Sequence, residues 1–271
     1  MRHKALTTAL AALALIGLTA PPASAITDGV PDGEDHPYVG LMVAQDEEGN
    51  PLWRCSGTLI SPTIFLTAGH CTYGADSVEI WFESDLEPDP SAYDYPYTGE
   101  VTGTPYTHPE YDDAAFYLHD LGVVELEEAE AVDLPTYGTL PTLNLLDSFT
   151  KSSKKDATFT AVGYGLQKSF PDAAALKDSA LKTRMVSTPK LISINTGYTG
   201  DGSLILSNNA HTGGTCSGDS GGPNFIGTST VIAGVTSFGK NSTCGGTGGV
   251  YRVDRADYLD WLYGTFGDQL P

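Results

Sequence analysis

The segment Gly213-Gly-Thr-Cys-Ser-Gly-Asp-Ser-Gly-Gly-Pro223 sets Ser220 in a glycine-rich turn, where its hydroxyl stands clear and backbone donors can face it unobstructed. A serine hydroxyl is a weak nucleophile at neutral pH and needs a base within hydrogen-bond reach and a third group to orient that base. His70, in Thr67-Ala-Gly-His-Cys71, and Asp120, in His119-Asp-Leu-Gly-Val-Val124, are the candidates. Asp120 stands just before the apolar run Leu121 to Leu126, which predicts the start of a buried strand, where a carboxylate is costly unless hydrogen-bonded. Asp112 and Asp113 lie in a Tyr/Asp-rich stretch without such a run and read as solvated. An oxyanion forming on an attacked carbonyl needs preorganised donors, and the N–H groups of Gly218 and Ser220 are the expected pair.

The elements around these residues read as short strands. Segments rich in Val, Ile, Thr, Tyr and Phe alternate with Gly/Pro/Asp/Asn/Ser clusters, the pattern of an antiparallel all-β chain. The candidate strands are Tyr38 to Ala44, Cys55 to Ile60, Ile64 to Thr67, Val78 to Phe82, Gly122 to Leu126, Ala157 to Val162, Val231 to Thr236 and Gly249 to Arg252. Glu83 to Tyr97 is acidic, contains three prolines and has no periodicity, so it reads as an exposed loop. Glu128 to Ser148, with Pro135 and Pro141, reads as a connection between two halves. Tyr258, Trp261 and Leu262 recur at helical spacing and predict a terminal amphipathic helix.

Residues 1–25 read as a secretory signal peptide: Arg2 and Lys4, an Ala/Leu run from Ala5 to Ala20, and the small-x-small pattern Ala23-Ser-Ala25. The run is short for a membrane span, which needs about 20 apolar residues. Removing this leader, with its two cations and no acid, takes the formal charge from −20 to −22 over residues 26–271. That balance argues against nucleic acid or an anionic membrane as partner. Four cysteines in a secreted chain without C-x-x-C point to disulfides. Of three formal pairings the economical one joins Cys55 to Cys71 and Cys216 to Cys244, each loop adding roughly 3–4 kcal/mol of stability in the chain-entropy model. His36, His108, His119 and His211 lack a flanking Gly/Cys framework or helical ligand spacing and read as surface or loop residues, so no catalytic metal is expected.

Leu66-Thr-Ala-Gly-His-Cys71, Asp120-Leu-Gly-Val-Val-Glu-Leu126 and Gly218-Asp-Ser-Gly-Gly-Pro223 resemble, in the same order, the three catalytic blocks of chymotrypsin-like and trypsin-like secreted serine proteases. The similarity runs from Ile26 to the terminal helix and includes Gly163-Tyr-Gly165 and the substrate-binding strand Ser237-Phe-Gly239. The resemblance implies two antiparallel six-stranded β-barrels, at residues 26–135 and 145–252, and a helix at 253–266, with the site between the barrels. It further implies peptide-bond hydrolysis through an acyl-enzyme on Ser220, with His70 as base and Asp120 as its orienting acid.

The resemblance also assigns finer roles. Ile26-Thr-Asp-Gly29 is similar to the family's activating terminus, whose ammonium pairs with the aspartate before the nucleophile, here Asp219; Ile26 directly follows Ala25, so leader removal would itself free that amine. Gly214 falls at the base of the primary specificity pocket and Gly239 and Gly249 at its walls. A base without an acid disfavours Lys or Arg at P1 and points to a large apolar side chain. Glu83, Asp85, Glu87 and Asp89 occupy the region where some relatives bind calcium, although such a run more often forms a solvated face. The expected partners are a protein or peptide substrate and a proteinaceous inhibitor, and the expected state is a secreted, extracellular monomer. Two alternatives remain open: a catalytically silent binding module on the same fold, and an esterase satisfying G-x-S-x-G, whose usual Ser, acid, His order this chain does not follow.

Overall fold

The structure is a computed structural model that describes residues 26–150, 157–168, 181–197 and 199–271. The predicted signal peptide lies outside the described residues. Strands β2 (Val39–Gln45), β3 (Pro51–Leu59), β4 (Ile64–Thr67), β5 (Ser77–Trp81), β6 (Val101–Thr107) and β7 (Gly122–Leu126) close a barrel in the order β2-β3-β4-β7-β6-β5. Closure leaves no open edge and lets the interior fill with Met42, Leu66, Ile80 and Val123, all fully buried. Burying a side chain of this size contributes roughly 1.5–3 kcal/mol. Gly57 is required in β3, because a Cβ there would sit 2.3 Å from the Phe65 ring.

The second half carries eight strands in the order β1-β9-β8-β12-β13-β14-β11-β10, and the start of β10 returns to the segment leading into β8, where Leu191 N–H donates to Ala157 O at 3.1 Å and Lys190 bridges to Thr158. Its members are β1 (Val30–Pro31), β8 (Phe159–Gly163), β9 (Met185–Ser187), β10 (Leu191–Ile194), β11 (Ser203–Asn208), β12 (Pro223–Ile226), β13 (Ile232–Gly239) and β14 (Gly246–Arg252). Pro189, without an N–H, divides β9 from β10, yet its carbonyl accepts Phe159 N–H at 2.9 Å, so the stretch passes from pairing with β8 to pairing with β11. The other edge of β9 takes up β1, through Val30 opposite Val186 and Pro31 opposite Met185.

The helix Ala256–Phe266 (α2) buries Tyr258, Leu259, Leu262 and Phe266, while Trp261 is only partly buried against the same core. It packs on a cluster built mostly from the first barrel, with the Phe266 ring 5.3 Å from Tyr106. That cluster also contains Val162, Phe225 and Val235 from the second sheet, so the two halves share a core. The loop Glu83 to Tyr97 is anchored as well as acidic: Leu86 is buried, and Tyr93 and Tyr97 pack on Trp81 at 5.1 and 6.5 Å.

Candidate active site

The end of β4 leads into a one-turn helix, Gly69–Thr72 (α1), which carries His70, while Asp120 precedes β7, hydrogen-bonded to β4 through Thr67 opposite Gly122. Neighbouring strands therefore deliver base and acid to one spot. The Asp120 side chain is fully buried, and Oδ2 lies 2.9 Å from His70 Nδ1. Its Oδ1 lies 3.1 Å from the same nitrogen and accepts the His70 backbone N–H at 2.8 Å. The Ser237 hydroxyl, from β13 of the other half, donates to Oδ2 at 2.5 Å. Three donors thus compensate the buried carboxylate, meeting the condition read from the apolar run. Burial alone would depress the His70 imidazole, but the charge of Asp120 and its hydrogen bond, helped by Asp113, raise it above its ordinary range.

Ser220 sits ahead of β12 in a turn fixed by both halves. Its carbonyl accepts the Ser56 N–H of β3 at 2.8 Å. Gly221, at φ +78°, packs so closely that a Cβ would lie 2.0 Å from Thr67 Oγ1 and 2.8 Å from the Ala68 N. The residue after the serine therefore abuts the segment leading to His70, and only glycine fits.

Backbone direction follows from what the neighbouring carbonyls do. The Ser217 carbonyl accepts Leu166 N–H at 2.9 Å, so in a trans peptide the Gly218 N–H points the opposite way. The Asp219 carbonyl accepts Gly222 N–H at 2.9 Å, which likewise turns the Ser220 N–H outward. Among the described residues neither N–H donates to an acceptor. Two free donors flanking a serine are what an oxyanion requires.

The disulfides Cys55–Cys71 and Cys216–Cys244 are formed and brace the His70 and Ser220 segments. Asp219 is fully buried, its Oδ1 accepting Gly165 N–H at 2.7 Å and its Oδ2 accepting Cys216 N–H at 2.8 Å. These bonds do not offset burial, which pushes the carboxyl up to about 7. Among the described residues no cation lies within ion-pair distance of it. Ile26 is buried against Ala161 and Met185, and Thr27 bridges to Gly214, docking the start of the described chain in the second half.

A cavity of about 180 Å³ beside Ser220 is lined by Thr215, Ser217, Ser237, Phe238, Gly239, Asn241 and Ser242, among others. Of the predicted pocket residues, Ser237, Phe238 and Gly239 line it. Gly214 lies against buried Asn208, whose Cγ a Cβ would meet at 2.3 Å; the amide donates to Thr215 O and accepts from Thr27 Oγ1. Gly249 lies under the Phe238 ring, whereas a Cβ on Gly248 would approach Thr215 Oγ1 at 2.9 Å. On the other side, a groove of about 400 Å³ is bounded by Leu52, Trp53, Arg54, Tyr93, Tyr97, Leu166, Ser217 and Gly218. A larger cavity of about 610 Å³ at Pro62, Glu125 and Gln269 contains none of these groups.

Several polar residues acquire meaning only from the structure. Arg184 is fully buried and bonds Asp32 Oδ2 at 2.9 Å; His36, in the loop before β2, is partly buried and its Nδ1 meets Asp32 Oδ1 at 2.5 Å, which joins it to that network. His108 stands in the loop after β6, as read, and is buried there. The acids at 83–89 hold their own neighbourhood: Asp85 accepts Thr183 Oγ1 and Glu87 N–H, Glu87 accepts Lys182 N–H, and Asp89 accepts Ser91 N–H. Nothing in the local sequence pattern of Ser56, Asn208 or Arg54 marks them as site residues.

The family model described as Trypsin matches residues 31–262. "Serine protease 1" of Drosophila melanogaster is 29% identical over 243 residues, covering 88% of this chain and 84% of its own. "Trypsin" of Saccharopolyspora erythraea is 28% identical over 226 residues, covering 83% and 91%. Among solved structures, HL collagenase superposes with a TM-score of 0.66 at 21% identity over 89% of this chain and 99% of its own. Human heparin binding protein gives 0.64 at 19% over 91% and 99%. With a cleft between its two β halves and a family match across most of its length, the chain belongs to the trypsin family of serine proteases.

Proposed function

We propose that this chain is a secreted serine endopeptidase acting through Ser220, His70 and Asp120. The observation that carries the reading is the pairing of His70 Nδ1 with buried Asp120 beside a serine turn whose two N–H groups are unengaged. Because Asp120 occupies Nδ1, the lone pair available for proton transfer is on Nε2. His70 takes the Ser220 proton there as Oγ bonds to the substrate carbonyl carbon, and the carbonyl oxygen becomes an oxyanion facing Gly218 and Ser220 N–H. The proton then passes to the leaving amine as the C–N bond breaks, giving the acyl-enzyme. Water, deprotonated by His70, returns the serine and releases the acid.

The P1 side chain is uncharged on this reading. No described lining residue of the 180 Å³ cavity is a carboxylate, and Gly214, expected at the pocket base, packs on the neutral amide of Asn208. A cavity of about 150 Å³ holds a benzene ring, so an aromatic P1 fits. On the leaving-group side, Arg54 lies 3.4 Å from where a Gly218 Cβ would stand. Lys182, Arg184, Arg252 and Arg255 are each within 4 Å of a described carboxylate, but Arg54 is not. It favours an acidic residue just beyond the scissile bond.

Leader cleavage after Ala25 completes the active form by supplying the Ile26 ammonium to Asp219. Covalent modification of Ser220 by a fluorophosphonate, mapped by mass spectrometry, together with peptide-library cleavage beside Ser220→Ala, tests the reading. Intact, folded protein that stays unlabelled and does not cleave peptides would mark it as a silent module.

A further inference from the structure

The loop Glu83 to Tyr97 takes no part in the steps above, yet its Tyr93 and Tyr97 line the groove of about 400 Å³ that opens beyond Gly218. The loop is fastened to the second half: Leu86 N–H donates to Lys182 O at 3.0 Å, Lys182 N–H to Glu87 Oε1 at 2.6 Å and Arg184 N–H to Ser84 O at 2.7 Å. Its far end is held too, because Tyr97 O accepts Gln45 Nε2 at 3.1 Å. The Tyr93 and Tyr97 rings lie 4.9 Å apart, and Lys182 Nζ sits 5.2 Å from the centre of the Tyr93 ring. Trp53, which also lines the groove, commits its indole N–H to Cys71 O at 2.9 Å and has only ring surface to offer. Leu52 beside it is exposed.

Arg54 is the charged residue among those lining this groove. In a chain of formal charge −20, the described ion pairs of lysine and arginine involve Lys182, Arg184, Arg252 and Arg255 and leave Arg54 out. Burial pushes the Tyr93 phenol up to about 12, against the pull of the Arg54 guanidinium beside it, so at neutral pH Tyr93 is an uncharged neighbour that leaves the positive charge for a ligand. We infer that the groove recognises the leaving-group segment of the substrate, taking an acidic side chain of the first residue past the scissile bond on Arg54 and an aromatic side chain of the third residue against Tyr97 and Leu52. The inference rests on the endopeptidase reading and extends it.

The order of contacts sets the spacing. Arg54 lies against Gly218 of the oxyanion turn, Tyr93 stands beside Arg54, and Tyr97 packs on Tyr93, so the cationic end is next to the reacting carbonyl and the aromatic end is further out. An extended peptide turns alternate side chains to one face, roughly 7 Å apart, so the first and third residues share the groove while the second points away. The volume agrees, since about 150 Å³ holds one benzene ring and the groove has room for more than one side chain. Tyr93 is a positioning residue on this reading, because it acts through Arg54. Walls fixed before the substrate arrives spare the ordering that a mobile loop would cost.

The test is capture of the acyl-enzyme, formed from a peptide ester, by added peptide amides. The α-amine of the peptide bonds to the acyl carbon, the Ser220 C–O bond breaks, and His70 carries the amine proton to Oγ. The ratio of capture to hydrolysis reads the groove, because the alcohol of the ester has left and the acyl half is common to every measurement. Glu-Ala-Phe amide should be captured several-fold better than Gln-Ala-Phe amide, and about tenfold better than Glu-Ala-Ala amide from partial burial of one ring. Arg54→Gln should abolish the Glu over Gln preference and Tyr93→Phe should weaken it, with the Phe over Ala preference kept. Tyr97→Ala should do the reverse, and His211→Ala should keep both preferences. Equal capture of the three amides, preferences unchanged in these variants, or better capture of Glu-Phe-Ala than of Glu-Ala-Phe amide overturns the inference, while ester hydrolysis and fluorophosphonate labelling still uphold the endopeptidase reading. Folded protein that neither hydrolyses esters nor takes the label overturns both.

Discussion

The buried Asp219 carboxyl gives the activation reading a measurable consequence. With Ile26 in peptide linkage, burial raises the Asp219 carboxyl from 3.8 to about 7. At 1.36 kcal/mol per pH unit this is a cost of about 4 kcal/mol for the ionised group at neutral pH. The folded value exceeds the unfolded one, so the contribution is fully present below the unfolded value and is lost as pH rises towards and through about 7. On the proposed pairing, freeing the Ile26 amine would place an ammonium beside the carboxylate, lower its pKa and remove that loss. The amine's own pKa is then raised above its ordinary value near 7.7–8.0, so the gain fades again on the alkaline side. The comparison is urea unfolding, from pH 4 to 9 in a Ser220→Ala background, of a chain starting at Ile26 and one retaining a few residues before it. The stability difference should be small at pH 4, reach up to about 4 kcal/mol near pH 7–8 and shrink beyond. Asp219→Asn should abolish it. A difference that is constant across pH, or that survives in Asp219→Asn, refutes the pairing.

The acid limb of kcat/KM should have its midpoint above the ordinary imidazole value of 6.5, because His70 must be neutral to act as base and Asp120 favours its protonated form; a midpoint at or below 6.5 counts against that coupling. Ser237→Ala removes the 2.5 Å bond to Asp120, a hydrogen bond to a charged group worth roughly 1.5–3 kcal/mol, so kcat should fall about tenfold to a hundredfold. KM should change much less, and rates on matched peptides separate the two. Arg54→Gln should lower kcat/KM several-fold for peptides with Asp or Glu just after the scissile bond and leave their Asn or Gln counterparts unchanged. The wild-type preference should weaken between 0.01 and 1 M salt as the screening length falls from about 30 to 3 Å.

The sequence made the nucleophile turn, its base and its acid legible because each is bound to a local pattern: glycines before and after Ser220, Cys71 beside His70, and an apolar run after Asp120. Strands Ile64–Thr67 and Gly122–Leu126 match their expected bounds, the first being a short apolar segment between Pro62 and Gly69 and the second one that begins at Gly122 and stops before Glu127. Strand Val101–Thr107 shows no strand pattern in the sequence because Gly103 and Pro105 interrupt it, although Gly103 is required where a Cβ would lie 2.4 Å from Val124. Buried strand Ser203–Asn208 has no alternation, since all six residues are covered. The long-range polar pairs were invisible for a different reason. Arg184 meets Asp32 across 152 residues, and Ser237 meets Asp120 across 117, so no local window contains both partners.

Ser56 shows how the two halves are kept in catalytic register. Its backbone N–H holds the Ser220 carbonyl, and its hydroxyl donates to the Gly218 carbonyl at 2.9 Å while accepting Tyr164 N–H at 3.0 Å. Its own carbonyl accepts Thr67 Oγ1 at 2.8 Å, three residues before His70. This β3 residue thus connects the base's strand, through Thr67, with the turn that presents the nucleophile and the oxyanion donors, and holds Tyr164 after β8 to the same point. Asp120 and Ser237 make a second crossing between the same halves. A rotation of one half against the other would break bonds at both crossings together, so the alignment of base, acid and serine is fixed by the inter-half contact and not by either half alone. That coupling also accounts for the buried, neutral surroundings of Asp219: the turn it shares with Ser220 is fastened to the first barrel on one side, and the Ile26 ammonium is the one proposed cation that reaches it from the other.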